Sequence, residues 1–318
     1  MKLVLGRKFA AGVWLGATVL LLGALAGCAG VGPPAIYETP SMFGPLVVTD
    51  DGDGLRSMRF GRNGITQSTI KVGEPDYLRF DYLRLVLPGL ALSGVAGAAP
   101  PQRILLVGLG GGALPVFLHR HYPAVRIDVV EIVPEVVTAA ERFFGFKQDA
   151  RMQAHVADGR AFIERAPAGH YGLIILDAFG SAEVPPHLIT QEFMQSVRRA
   201  LAPSGAVVSN VWNPRYNRKY DAMLRTQQEV FGEVHVVDTT REVNTVLYAL
   251  PRAPALHFDS FMALARQHGA QQRYGFDLGE LVERGYLPVT RRDDVPVLRD
   301  AAVKSVSGRT RYRRSEMP

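Results

Sequence analysis

From Gln102 onward, short runs of consecutive apolar residues alternate with stretches whose apolar positions recur every three or four residues. The stretches "RILLVGL", "VRIDVVEIV", "RMQAHVADG", "YGLIILDAF" and "GAVVSNVW" predict strands, the first and fourth of them buried. Between them, a stretch through about Arg120, then "PEVVTAAERFFG", "RAFIERA", "TQEFMQSVRRALAP" and, after the last strand, "YDAMLRTQQEVFG" predict helices. Pro134 early in the second of these, Gly145 just past its end, and Thr190 ahead of the fourth are start and stop signals. "EVHVVDT" and "NTVLYALPR" lie close together and predict a closing hairpin. This alternation predicts an α/β domain over residues 99–255 built on a doubly wound, mostly parallel sheet. Upstream, residues 46–98 predict a small antiparallel β region, with strands parted by the turn signals "DGDG" and "RNG", and then one helix in "YLRFDYLRLVLPGLAL". Residues 256–302 predict a C-terminal helical extension.

The first 28 residues follow a different pattern. Lys2, Arg7 and Lys8 precede an uncharged apolar run from Phe9 to Leu25, which ends in Leu25-Ala26-Gly27-Cys28. That three-part layout predicts a secretory signal. Its ending resembles the bacterial lipobox, which implies lipidation of Cys28 and a membrane-anchored, exported lipoprotein on the periplasmic side of the envelope. The alternative is an uncleaved anchor, since about twenty apolar residues can span a bilayer. Residues 29–45, rich in Pro and Gly, predict a tether.

Composition adds little to this picture except at the ends of the chain. Cys28 is the one cysteine of 318 residues, so an intrachain disulfide and an all-cysteine zinc site are excluded, and no metal site is expected. The net charge is +6, with Lys304, Arg309, Arg311, Arg313 and Arg314 crowded into residues 303–318. These predict a solvated basic tail, the alternative being a contact with lipid or nucleic-acid phosphates. Tyr312 is the one aromatic residue among them, too little interleaving to argue for base stacking, so nucleic acid is not expected as a partner.

The candidate chemistry sits at strand ends. Gly108-Leu109-Gly110-Gly111-Gly112 follows the first strand and opens a helix, a context that suits a nucleoside ligand. No Lys-Ser/Thr pair follows, which disfavours a triphosphate loop. Glu131 ends the second strand, where a carboxylate accepts both ribose hydroxyls. Asp158-Gly159 follows the third strand, and Asp158 has two roles open to it: accepting from an adenine amino group or capping the next helix. Asp177 emerges from the buried fourth strand, a placement that favours a raised pKa and a role as base or cation holder over loop capping. His187, behind Pro185-Pro186, is a weaker general-base candidate that could equally be a packing residue.

In order along the chain, the small β region, "GITQS", a helix containing Tyr82, the glycine turn, "VVEIVPEVV", "VADG" and "IILDAF" resemble the spermidine synthase family of aminopropyltransferases. The resemblance implies a Rossmann-like, class I methyltransferase-like fold, and the closing antiparallel hairpin agrees with it. It also implies that Gly108, Gly110, Gly112, Glu131, Asp158 and Gly159 hold the nucleoside of S-adenosylmethionine or its decarboxylated form. Asp177 would be catalytic, receiving the attacking amine, and Gln67 and Tyr82 would face the substrate channel. A homodimer acting on a small molecule is implied as well.

This chain departs from the family at four places. An aspartate of the family's glycine turn is Gly111. The pattern Asp-Ser-Ser-Asp is Asp177-Ala178-Phe179-Gly180. Leu83 and Arg84 replace polar residues after the helix tyrosine, and Phe43-Gly44 stands for Tyr-Gln. The lost groups bind ammonium, and an ammonium buried without carboxylates costs several kcal/mol. Arg84, if inward-facing, would add repulsion. The expectation is a spermidine synthase-like transferase with a degenerate diamine site. The alternatives are a non-catalytic or accessory lipoprotein that retains the fold, and an S-adenosylmethionine-dependent methyltransferase.

Overall fold

The computed structural model describes residues 33–93, 102–180, 183–251 and 256–302. The predicted signal, Cys28 and the basic tail lie outside the described residues. Among the described residues no helix is long and apolar enough to cross a membrane.

Two sheets carry the structure. The smaller is an antiparallel sheet of β1 (Ala35–Thr39), β2 (Leu46–Gly52), β3 (Leu55–Phe60) and β4 (Thr66–Lys71), ordered as in sequence. Strand β1 falls inside the segment predicted as a tether. It pairs with β2 from Ala35↔Thr49 to Thr39↔Leu46, and the Tyr37 ring packs 5.0 Å from Phe143. The Pro and Gly residues on either side masked five residues that can pair. The single predicted helix is two, α1 (Asp81–Leu85) and α2 (Pro88–Ser93). Pro88 has no N–H to give to Arg84, so the chain turns there through i→i−3 bonds from Leu87, Gly89 and Leu90.

The larger sheet comprises β5 (Arg103–Val107), β6 (Arg126–Glu131), β7 (Met152–Val156), β8 (Tyr171–Leu176), β9 (Leu201–Trp212), β10 (Glu233–Asp238), β11 (Asn244–Leu250) and β12 (Tyr286–Leu287). Its order is β12-β10-β11-β9-β8-β5-β6-β7. Strands β5 to β9 pair in parallel, whereas β9–β11, β11–β10 and β10–β12 are antiparallel. The doubly wound sheet and its terminal hairpin are thus as the periodicity predicts. The extension beyond residue 255 is not purely helical. It holds α8 (Phe258–Gln272) and α9 (Leu278–Gly285), and then returns β12 to pair with Val236 and Val237. A two-residue strand has no periodicity to read.

The central strands are buried on both faces and their side chains alternate between two cores. Ile104 and Leu106 of β5 join Leu173 and Ile175 of β8 beneath α3 (Ala113–His121) and α4 (Pro134–Phe143). Leu105, Val107, Ile174 and Leu176 face the core under α5 (Gly159–Arg165), α6 (Gln191–Ala200) and α7 (Tyr220–Phe231). After β5 the chain winds outward through β6 and β7, then returns to β8 on the other side of β5. A crevice opens at the carboxyl ends of β5 and β8, the place where open α/β sheets bind ligands. The small sheet stands over it. Arg56 of β3 donates to the Phe143 carbonyl (2.7 Å), and Ser68 of β4 lies against the glycine turn.

Candidate active site

Val107 ends β5 beside the end of β8, and the backbones come so close that only glycine fits next. Gly108 has φ 104°, and a Cβ there would lie 2.2 Å from the Asp177 carbonyl oxygen. This close approach sets the glycine turn and Asp177 side by side. Gly111 is also confined: a Cβ would meet the Phe144 ring at 2.6 Å and Ser68 Oγ at 2.7 Å. At the position that carries an aspartate in the family pattern, a side chain would here have to displace the Phe144 ring and the Ser68 hydroxyl.

Glu131, at the end of β6, faces this turn. Its Oε2 accepts from the Leu109 N–H (3.0 Å) and its Oε1 from the Val133 N–H (2.9 Å), and Gly110 and Ile132 N–H groups add to the cradle. Burial pushes its carboxyl up, while the four amides pull it down. The Leu109 and Val133 bonds take two of the about four acceptor positions on its oxygens and leave two for a ligand. The carboxylate is thus fixed in place, and Glu131 lines the cavity.

Asp158 is the N-cap of α5, with Oδ1 accepting from the Ala161 N–H (2.9 Å). Its Oδ2 lies 2.8 Å from His187 Nε2. Burial opposes ionisation of Asp158, but the helix amides and His187 outweigh it and hold the carboxyl below its usual range. Capping is therefore present. His187, raised on the 3₁₀ turn Pro186–Leu188, is Asp158's partner and does not pair with Asp177.

Asp177 is held by two side chains. Asn210 Nδ2 donates to its Oδ1 (2.7 Å), and the Tyr82 hydroxyl is hydrogen-bonded to it. Burial pushes the Asp177 carboxyl up to about 7, against these two bonds. Asn244 Nδ2 in turn donates to Asn210 Oδ1 (2.8 Å), which fixes the Asn210 amide with its N–H toward Asp177. Glu242, in the turn before β11, accepts from the Asp81 N–H (3.1 Å) at the start of the helix that carries Tyr82. Asn210, Asn244 and Glu242 were not among the sequence candidates. The one visible signal was Asn210, an amide inside the apolar run "VVSNVW".

These groups border a single cavity of about 1520 Å³. It brings together Gly108, Gly110, Glu131, Asp158, Gly159, Asp177, Gln67 and Tyr82; Gly112 heads α3 just behind it. Gln67 spends one amide N–H on the Ile65 carbonyl (3.2 Å). Arg84 also borders the cavity, but its charge is taken up by Asp81 (2.8 Å) and the Leu78 carbonyl (2.9 Å), with Phe276 beneath the guanidinium. The repulsion expected of an unpaired arginine is therefore offset. Among the described residues no three His, Cys, Asp or Glu side chains gather to hold a metal ion.

Residues 90–246 match the spermine/spermidine synthase domain. The chain is 34% identical over 231 residues to the polyamine aminopropyltransferase of Vibrio vulnificus, covering 70% of this chain and 75% of that protein. The chain belongs to the spermine/spermidine synthase family. Family membership agrees with the fold: a spermidine synthase in complex with the transition-state analogue AdoDATO superposes with a TM-score of 0.61 at 20% identity, over 80% of this chain and 85% of the other. Human methyltransferase-like protein 13 in complex with SAH superposes with a TM-score of 0.54 at 29% identity, over 67% of this chain and 95% of that one. The chain spans about a quarter of the length of the vertebrate eEF1A lysine and N-terminal methyltransferases it also matches, 27% for the human protein.

Proposed function

We propose that this protein is a transferase that binds S-adenosylmethionine or its decarboxylated form and passes a carbon group to an amine, with Asp177 as the base. The observation that carries this reading is the juxtaposition of Asp177 with the glycine turn and Glu131 in one cavity. The fit to the nucleoside rests on the Glu131 carboxylate, fixed by backbone amides at the edge of a glycine turn that borders the cavity. Solved relatives of this fold hold AdoDATO and SAH, two adenosyl ligands. When bound, such a donor supplies a carbon activated by a sulfonium leaving group.

The protein's own part is to manage the acceptor's proton. A carboxyl with a pKa of about 7 takes a proton readily near neutral pH. Tyr82 and Asn210 hold it in one orientation, and the Asn244 bond keeps Asn210 from flipping. Gly111 bears on the choice of donor. Glycine brings no carboxylate to that position, so an ammonium tail is not paired there and the carboxylate of intact S-adenosylmethionine is not repelled. The likeness to a methyltransferase structure supports the same donor and makes methyl transfer the second reading. A non-catalytic role is favoured by the missing acids at Gly111 and Gly180.

Calorimetry with 5′-methylthioadenosine tests the first step: a binding isotherm is expected, and no heat with any adenosine ligand overturns both enzyme readings. Given binding, incubation with decarboxylated donor and putrescine is expected to yield little or no spermidine. Rapid spermidine formation would show that the diamine site is intact.

The address is a separate proposal, supported by the signal pattern and by Cys28 standing at its cleavage position. Mass spectrometry of membrane fractions is expected to find a diacylglyceryl group on Cys28. A soluble protein that retains Met1 would refute it.

A further inference from the structure

The C-terminal segment reaches the cavity wall from behind. After β12 the chain runs back over α7 and α6. The Leu298 N–H donates to Thr226 Oγ1 (2.9 Å). The Leu298 carbonyl accepts from the Gln191 N–H (2.8 Å), an amide of the first turn of α6 that has no acceptor in its own helix. The Asp300 N–H donates to Glu192 Oε2 (3.0 Å), and the Leu298 side chain packs against the core beneath these helices. Asp300 is thereby delivered to Arg160 of α5. Its Oδ1 and Oδ2 accept from Arg160 Nη1 and Nη2, each at 2.7 Å.

A guanidinium is flat, so this fork and the bond from Nε to Glu164 Oε1 (2.7 Å) set its plane. Nη1 also faces the His187 carbonyl (3.3 Å) and Thr190 Oγ1 (3.5 Å). His187 is thus tied to α5 twice, by its backbone to Arg160 and by its ring to Asp158 (2.8 Å). Pro186, His187 and Leu188 border the cavity together with Asp158 and Gly159, whereas Asp300 lies behind that wall. The Arg160 and Asp300 side chains are 19% and 25% exposed, so their bidentate pair is sheltered enough to act as more than a screened surface contact.

We propose that Asp300 is a positioning residue of the nucleoside site: acting through Arg160, it holds His187 against Asp158 and so sets the preference of this end of the cavity for adenine. The proposal rests on the transferase reading above, since it takes Asp158 as the carboxylate that meets the base. The Asp158 Oδ1 is fixed by the Ala161 N–H, and His187 fixes Oδ2. With His187 released, Oδ2 turns to water and an adenine amino group loses a preset acceptor. A base with a carbonyl oxygen in that place gains nothing from the carboxylate, so its binding does not depend on the arrangement.

The test is calorimetry on the full-length chain in detergent with 5′-methylthioadenosine and, separately, 5′-methylthioinosine, which has a carbonyl oxygen where adenine has its amino group. The unaltered protein is expected to bind the adenosine ligand more tightly. Asp300→Asn keeps the shape of the side chain but turns amide N–H groups toward the guanidinium. It should lower 5′-methylthioadenosine affinity by about fivefold and leave 5′-methylthioinosine affinity within about twofold, a size usual for residues that act through others. Arg160→Lys, which cannot hold both oxygens in a fork, should cause the same selective loss. Adding Asp300→Asn to it should cost nothing more, since the two residues act as one unit. A cooperative melting transition reports that each variant is folded. An equal fall for the two nucleosides, undiminished 5′-methylthioadenosine affinity, additive losses in the double variant, or equal binding of the two nucleosides by the unaltered protein overturns this proposal and leaves the donor site standing. If Asp300→Asn does not fold, Arg160→Lys is read in its place, and loss of the fold in both makes the contact structural and overturns the proposal. Failure of 5′-methylthioadenosine to bind the unaltered chain overturns the transferase reading and this proposal with it.

Discussion

Asp177→Asn is expected to lower turnover by about 10³-fold, within the range that general bases contribute, while leaving 5′-methylthioadenosine affinity within a factor of about three, since no pairing with the donor is assigned to this carboxylate. The substitution keeps the volume and lets Asn210 continue to donate to the remaining oxygen. Two pH profiles separate chemistry from folding. The base works only when ionised, so turnover of the unaltered protein should rise with pH through about 7. Stability should move the other way. The folded carboxyl holds its proton up to about 7, whereas in the unfolded chain the group releases it near its ordinary value of 3.8. Between those two values the native state binds more protons than the unfolded state, so this group makes stability fall as pH rises across the window. Asp177→Asn removes that slope. Its melting temperature at pH 8 should equal or exceed that of the unaltered protein. A variant that loses activity by unfolding would show the opposite, and a rate profile flat from pH 5 to 9 would remove Asp177 from the role of base.

The parts of this arrangement legible in the sequence are those that depend on local chemistry. Strands β5 and β8 announce themselves because a strand buried on both faces reads as a nearly unbroken apolar run, β6 by its shorter apolar pair Val129–Val130, and a carboxylate that ends such a run must emerge at the sheet's edge. Glu131 and Asp177 were found this way. Asp158 was readable as a cap because capping is a three-residue relation, seen here as the bond to the Ala161 N–H. What could not be read was pairing between distant segments. Asn244 and Glu242 lie more than thirty residues beyond Asn210, and only the antiparallel register that sets Asn244 opposite Trp212 brings them to the site. The same reason hid β12, whose two residues show no period, whereas β1 was hidden by the Pro and Gly residues around it although Ile36, Tyr37 and Thr39 favour a strand. The fate of Arg84 was of this kind too. Its position in the helix was evident, but its pairing depended on Asp81 choosing it and on Phe276 arriving from the C-terminal extension.

Glu131→Ala carries the other large expected effect: loss of 5′-methylthioadenosine affinity by about 10²-fold or more. The estimate comes from two charge-assisted hydrogen bonds to ribose hydroxyls at about 1.5–3 kcal/mol each, converted at about 1.4 kcal/mol per tenfold. Glu131 does a second job that makes the loss larger. Its oxygens satisfy the Leu109 and Val133 amides, and through them hold the glycine turn in the shape that receives the nucleoside. Alanine leaves those amides without their acceptor and frees the turn. Glu131→Gln distinguishes the two contributions. It keeps the length of the side chain but offers one acceptor oxygen instead of two, and its amide N–H groups oppose the backbone N–H groups they would face. Affinity in Gln should therefore fall nearly as far as in Ala, whereas a purely steric role for Glu131 would leave Gln close to the unaltered protein. The ionised form is the one that accepts, and burial has moved this carboxyl upward. Nucleoside affinity should thus decline as pH falls, and the decline should begin above the range where an ordinary glutamate titrates. Calorimetry of Glu131→Ala, Glu131→Gln and the unaltered chain across that range checks all three statements. Undiminished binding in either variant would show that the ribose is held elsewhere.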